Sequence, residues 1–452
     1  MRGGSRGNPA ESWIQAFPAF AAALGDNPQR QAQRERALAA FGELGLPSTR
    51  LEAWRSTNLG TLEKRMPPAP TGHAPEAGLL EKAKTQIALE ADRVGEASLR
   101  AVFIDGHFCS SLSSLPEDES AIRVLSIRPE SPTPVAFPQG YGELAPAKRD
   151  AFSALNEAFT PGIEVLEFGE GCEIDLPVHL VFLSSGDGRL NCPRLHVTGK
   201  KQSRATLILD FLSVPDGENL VSSVTEIFLE ERAHLDCVVA ERESDRTVHI
   251  ANLQARQGRE SGLRIHTLTL GGALVRNELG VELADLGAEL DLNGLYVGSG
   301  DQHQDNHTRV DHATPRTTSR ELYKGILADN ARGVFRGLIH VRPDAQKIDS
   351  TQSNMNLLLS PGARVDTRPQ LEIYADDVKC SHGSTIGKLD EEALFYLRSR
   401  GLSPSEARAM LTRGFVAEIC DALPLEPLRT AITELVLEKL SACVHPGGEG
   451  VA

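Results

Sequence analysis

Cys380 and His382 stand two residues apart near the end of residues 369–383, a run whose composition and flanking signals predict a strand. On a strand, positions i and i+2 share a face, so a thiol and an imidazole would be presented side by side. Thiolate and imidazole both suit iron and zinc, but a tetrahedral ion takes about four ligands. The pair is half a metal site. The nearest acidic groups, Asp376 and Asp377, cannot be placed without a fold. Taken without context, a cysteine reads more readily as a small buried hydrophobe.

Other polar stretches compete with it. Residues 301–312 interleave His303, His307 and His312 with Asp301, Asp305 and Asp311. Spacing of i, i+4 would bring two imidazoles together on a helix, but this segment lies between β runs, so it reads as a polar loop or solenoid edge. Gln352, Asn354 and Asn356 share one strand face, which suits amides stacked inside a coil. Residues 383–388 imitate a phosphate loop. They have three residues between the glycines rather than four, and Leu389 stands where Ser or Thr would hold magnesium. Neither H-E-x-x-H nor G-x-S-x-G occurs, so no zinc protease or serine hydrolase is signalled.

The elements that must position Cys380 and His382 come from a long β region. From about Gly162 to Ile386 the chain is a series of short apolar runs punctuated by Gly, Asp and Asn. Gly280, Gly287 and Gly294 recur every seven residues, and the alternation changes phase at residues 285–287, where a turn is expected. Periodicity alone does not separate a β-helix from a large sandwich. Upstream, residues 11–63 have helical spacing, as in Ala37, Phe41 and Leu44, with Arg30, Arg34 and Arg36 read as a solvated polar face. Residues 66–75 are a proline-rich linker, residues 102–108 a short strand, and residues 110–147 a polar stretch. Downstream, Asp390 caps a helix stopped by Gly401. Ser403, Pro404 and Glu406 form a capping box that opens a second helix. Its Ala407, Met410, Leu411, Phe415 and Ile419 make an apolar stripe, and Pro424 and Pro427 lead into a last helix to about Cys443. The organisation read from this is a helical segment at 1–95, a transitional α/β segment at 96–161, a β core at 162–386 and helices at 387–445.

Bulk properties narrow the function. A net charge of -15 in 452 residues disfavours nucleic acid and anionic membrane, which require a basic face. A protein partner is the better expectation. The seven cysteines include no CxxC pair, as befits a reducing compartment, and a cytoplasmic location is expected. Arg2 and Arg6 before residues 16–24 imitate a signal peptide, but Glu11 and Pro18 argue for an amphipathic helix. No run approaches the ~20 apolar residues of a membrane span.

Residues 369–383 and the directly following 389–401 resemble the C-terminal signature of the SufB/SufD family of iron–sulfur cluster assembly proteins. The likeness extends to residues 333–339 and 352–360, and more loosely to 45–47 and 52–55. It is dense from about Thr308 and thin between Pro67 and Phe152. Gly383 and Ser384 stand where the SufB branch carries glutamates, so the chain is similar to the SufD branch. This resemblance implies a mainly β fold, a right-handed parallel β-helix core flanked by N-terminal and C-terminal α-helical domains. It implies a scaffold rather than an enzyme, paired with SufB through the β-helix and binding the ATPase SufC through the C-terminal helices, for which Met410, Leu411, Phe415 and Ile419 are the candidates. Complexes of this family hold one SufB, one SufD and two SufC. Cys380 and His382 would lie at the SufB interface, where iron or a cluster is held transiently and SufB supplies the remaining ligands. No intrinsic cofactor is implied. Reduced flavin is associated with such complexes, although no flavin motif is legible. The competing readings are a β-helix enzyme acting on polysaccharides, which would carry an export signal and an exposed groove, and a SufB-type paralogue.

Overall fold

The computed structural model describes residues 9–60, 77–94, 98–115, 121–128, 136–215 and 217–444. The expected proline-rich linker at 66–75 falls outside them. Two ten-stranded sheets dominate, and from Arg194–Gly199 onward successive strands alternate between them. Within each sheet the core pairings are parallel: Leu274 pairs with His303 and His303 with Arg332, a step of 29 residues. Each coil contributes one strand to each sheet, and the result is a parallel β-helix. Its interior is a continuous apolar core that includes Leu207, Leu235, Ile265, Leu292, Phe335 and Ile339.

The turn expected at residues 285–287 is present, with Gly287 at φ 70. The seven-residue glycine recurrence is not the coil period. Gly294 faces the Tyr323 ring of the next coil, and Gly280 faces the Gln254 amide, so a Cβ at either would collide with a side chain. Gly294 makes room for an inward ring, and Gly280 for a side chain on the outer face.

Both outer faces are covered. Helices α1 (Pro9–Leu24), α2 (Pro28–Leu44), α3 (Ala77–Val94) and α4 (Ala151–Phe159) precede the regular coils, while α5 (Glu391–Ser399), α6 (Pro404–Asp421) and α7 (Glu426–Val444) follow them. Trp13, Phe17, Phe20 and Phe41 pack with α4 onto Leu220, Ile250 and Leu274 of one sheet. Val416, Ile419, Leu428, Ile432 and Val436 pack onto Ile208, Val238, Leu268, Val297 and Ile326 of the other. The predicted caps form as expected: Asp390 accepts from Glu392 N–H, and Ser403 with Glu406 closes a full capping box. Among the described residues no helix is long and apolar enough to cross a membrane.

Several expectations are corrected. Over residues 11–58 the stretch expected to be helical forms α1, α2 and a 3-10 turn, Glu52–Trp54, with Asn27 capping α2 through a 3.0 Å bond from Arg30 N–H. Arg30 and Arg34 are not a solvated face; only Arg36 is exposed. Arg30 pairs with Glu157 at 2.5 Å, while Arg34 pairs with Asp26 at 2.5 Å and donates to the carbonyls of Ala158 and Thr160. Those carbonyls are the unsatisfied end of α4, a wholly buried helix whose packing creates the need for buried donors. The strand at 102–108 is a hairpin, Leu99–Ile104 and His107–Phe108, turning at Asp105 and Gly106 with positive φ at both. The stretch at 110–147 contains a strand, Ile122–Ile127.

Candidate functional site

The β-helix ends open. Arg364–Ile373 and Val378–Gly387 are the last strands of their sheets, each paired on one side only among the described residues. Most of their residues are half-buried or exposed, in contrast to the preceding coils. Ile373, Tyr374 and Ile386 are large apolar side chains left in solvent there.

Cys380 and His382 lie on Val378–Gly387, in register with Ser350 and Gln352 of the strand beneath. Their equal parity places both on the inward face, at the mouth of the solenoid. Cys380 is half-buried against the apolar core, and that burial, with Asp349 nearby, pushes its thiol above the ordinary range. Metal binding must therefore displace a proton from it. His382 is exposed. Asp377 is committed to the coil corner: its carboxylate meets Lys347 at 2.5 Å and its N–H donates to Gln346 at 2.8 Å. Asp376 is exposed on the same corner. Among the described residues no group of three or more His, Cys, Asp or Glu side chains is arranged to hold a metal ion. Among the described residues the open end thus presents two candidate donors, Cys380 and His382.

Residues 301–312 are not a loop: His303–His312 is a buried strand. Its histidines serve different faces. His303 meets Thr57 at 2.9 Å and His307 meets Asp305 at 3.0 Å on the outer face, whereas His312 points inward between Thr317 and Ser319. Burial pushes His312 down to about 4, so it is neutral. Gln352, Asn354 and Asn356 are buried on the inward face as expected. They do not bond as a ladder of identical amides across coils. Asn356 donates to Asn354 along the strand at 2.7 Å, and Asn354 donates to the Tyr323 carbonyl at 3.2 Å. Residues 383–387 continue the edge strand and form no helix-opening loop.

The four residues of the α6 stripe are divided by the fold. Ile419 is buried in the cluster between α6, α7 and the sheet, with Phe415 packed at its margin and its ring 5.2 Å from Lys324 Nζ. Leu411 is half-buried, and Met410 is 57% exposed. On α5, Phe395 and Tyr396 are exposed at 74% and 55%. Sequence reasoning missed these two, although they fall in the segment that carried the family likeness.

A second arrangement was not anticipated as a unit. Glu52 accepts Arg368 at 2.6 Å, its backbone carbonyl accepts Arg336 at 3.1 Å, and Arg276 lies 4.0 Å over the Trp54 ring. The 52–55 and 333–339 signatures are thus one contact, tying the N-terminal segment to the last coils.

Residues 182–415 match the family model described as "SUF system FeS cluster assembly, SufBD core domain". The chain is 30% identical to the iron-sulfur cluster assembly protein SufD of Escherichia coli (strain K12), over 98% of both chains. This chain belongs to the SufBD family of iron–sulfur cluster assembly proteins. It is also 31% identical to a SufBD family protein of Synechocystis sp. (strain ATCC 27184 / PCC 6803 / Kazusa), over 89% of this chain and 90% of that one. A SufBD family protein of Mycobacterium tuberculosis (strain ATCC 25618 / H37Rv) is 32% identical over 64% of this chain and 73% of its own. The SufBD core match takes in the Cys380–His382 edge, the whole of α5 and the first two-thirds of α6.

Proposed function

We propose that this chain is the SufD-type scaffold subunit of a cytoplasmic Suf assembly complex, without catalytic turnover of its own. It pairs with a SufB-type paralogue through the open end of the β-helix, and Cys380 and His382 contribute donors to iron or a nascent cluster held between the two. The observation that carries this reading is the open end. A ten-residue strand with one unpaired edge is a template for strand addition, and it bears a thiol and an imidazole that, among the described residues, are not joined by a third metal-ligating side chain. A paralogue with the same coil geometry would extend both sheets and bring its own donors to the mouth. The SufC-type ATPase docks on the exposed apolar residues of the C-terminal helices, Phe395, Tyr396 and Met410, beside half-buried Leu411 and Phe415. Ile419 supports that surface from within. Reduced flavin, where it takes part, belongs to the complex.

Co-expression with the SufB-type and SufC-type partners, followed by anaerobic iron and sulfide analysis, tests this. A heteromeric complex that accumulates iron and sulfide is expected. A chain that purifies without either partner would overturn the scaffold reading.

A further inference from the structure

The solenoid interior changes character as it approaches the open end. Along the inward row that ends at His382, the register runs through Cys237, Ile265 and Leu292, then Glu321, Gln352 and His382. The neighbouring row runs through Leu263 and Leu290, then Ser319, Ser350 and Cys380. The two coils directly beneath the donors are thus polar, in rows that are apolar before them. A core of this kind gains nothing in stability from buried polar groups, so the change calls for another cause.

Glu321 and Gln352 are 4% and 2% exposed. Gln352 Nε2 donates to Glu321 Oε2 at 2.6 Å. An ionised carboxylate only accepts, so Glu321 holds the amide with its NH2 group inward and its carbonyl turned away. That carbonyl, Gln352 Oε1, is buried and has no hydrogen-bond partner. The space for the amide is made on the facing strand by Gly337, where a Cβ would meet the Gln352 Cδ at 2.6 Å. The next residue in the row able to donate is His382. Imidazoles that bind metal commonly give their other ring N–H to a carbonyl or carboxylate, which fixes tautomer and orientation.

We propose that Gln352 is the positioning residue for His382: its side-chain carbonyl, held in place by Glu321, accepts one ring N–H of His382 and leaves the other nitrogen as the metal donor. The inference rests on the reading of His382 as a donor and adds its orientation. Burial pushes Glu321 up to about 7, so the carboxylate is ionised and the amide locked at pH 8.5.

The test uses the full chain without metal, labelled with [15N]histidine, and reads imidazole tautomers from long-range 1H–15N spectra at pH 8.5. The His382→Gln spectrum assigns the resonance. One tautomer is expected to dominate at His382 in the unmodified chain. In Gln352→Leu the tautomer ratio should shift by roughly fivefold, the weight of one neutral hydrogen bond. Glu321→Gln should shift it in the same direction with a thermal midpoint no lower than that of the parent, because a neutral amide no longer dictates which way Gln352 faces. Identical tautomer populations in all three chains would overturn the proposal. The donor reading fails separately: if His382→Ala leaves cluster yield in the complex unchanged, it is wrong even where the tautomer responds.

Discussion

Replacing Glu321 by Gln should make the protein more stable, and increasingly so as the pH rises. Glu321 sits in the interior, and burial outweighs the hydrogen bond from Gln352 to raise it from an ordinary 4.5 to about 7. The sign follows from proton counting. Between those two values the folded state keeps a proton that the unfolded chain has released, so stability falls as pH rises through this window and levels off above it. A rise from 4.5 to about 7 corresponds to about 3 kcal/mol once the group is fully ionised. About 2 kcal/mol of that accrues between pH 5.5 and 8.5. A glutamine does not titrate and can still accept the Gln352 N–H, so it removes the ionisation cost while keeping the contact. Urea unfolding followed by circular dichroism, on both chains at pH 5.5 and 8.5, measures the difference. The quantity to read is the change in that difference with pH, which cancels any constant effect of the substitution. A difference that stays flat to within about 0.5 kcal/mol would mean that Glu321 ionises as it would in water, and the reasoning about a desolvated interior would be wrong.

Three other outcomes are expected. Cys380→Ser and His382→Ala should each lower iron and sulfide recovered with the complex while leaving co-purification of the SufB-type partner intact, since both side chains are small and peripheral to the edge pairing; equal yield from the double variant would refute a direct role. Phe395→Asp or Met410→Asp should abolish pull-down of the SufC-type ATPase without changing the unfolding midpoint, whereas Ile419→Ala should cost about 2 to 5 kcal/mol of stability because that side chain fills the chain's own core; truncation at Lys388 cannot make this distinction, because it would bare the Ile208, Val238 and Ile326 face. Arg34→Ala should destabilise by about 3 to 5 kcal/mol, since Asp26 and two α4 carbonyls lose their donor; a loss below about 1 kcal/mol in urea unfolding would show that water replaces the guanidinium there.

What could be read from the chain divides according to the distance over which the cause acts. The shared face of Cys380 and His382 depends only on strand geometry across two residues, and the Ser403–Glu406 cap on a single turn, so both are visible locally. The buried roles of Arg30 and Arg34 are not, because their partners Glu157, Ala158 and Thr160 are more than a hundred residues away on a helix that is itself recognisable only by what surrounds it. The stripe on α6 was visible as a stripe, but whether Met410 or Ile419 faces the sheet depends on how the helix is laid against it. The polar row beneath His382 is the clearest case. Leu292, Glu321, Gln352 and His382 are separated by 29, 31 and 30 residues, because the corners between coils differ in length. No fixed period aligns them. An internal repeat with variable corners hides its own columns, and with them the distinction between a glutamate that is one more polar residue in a strand and one that stands two coils under His382. Only the register supplies that distinction, and the register is set by long-range pairing that leaves little trace in local composition.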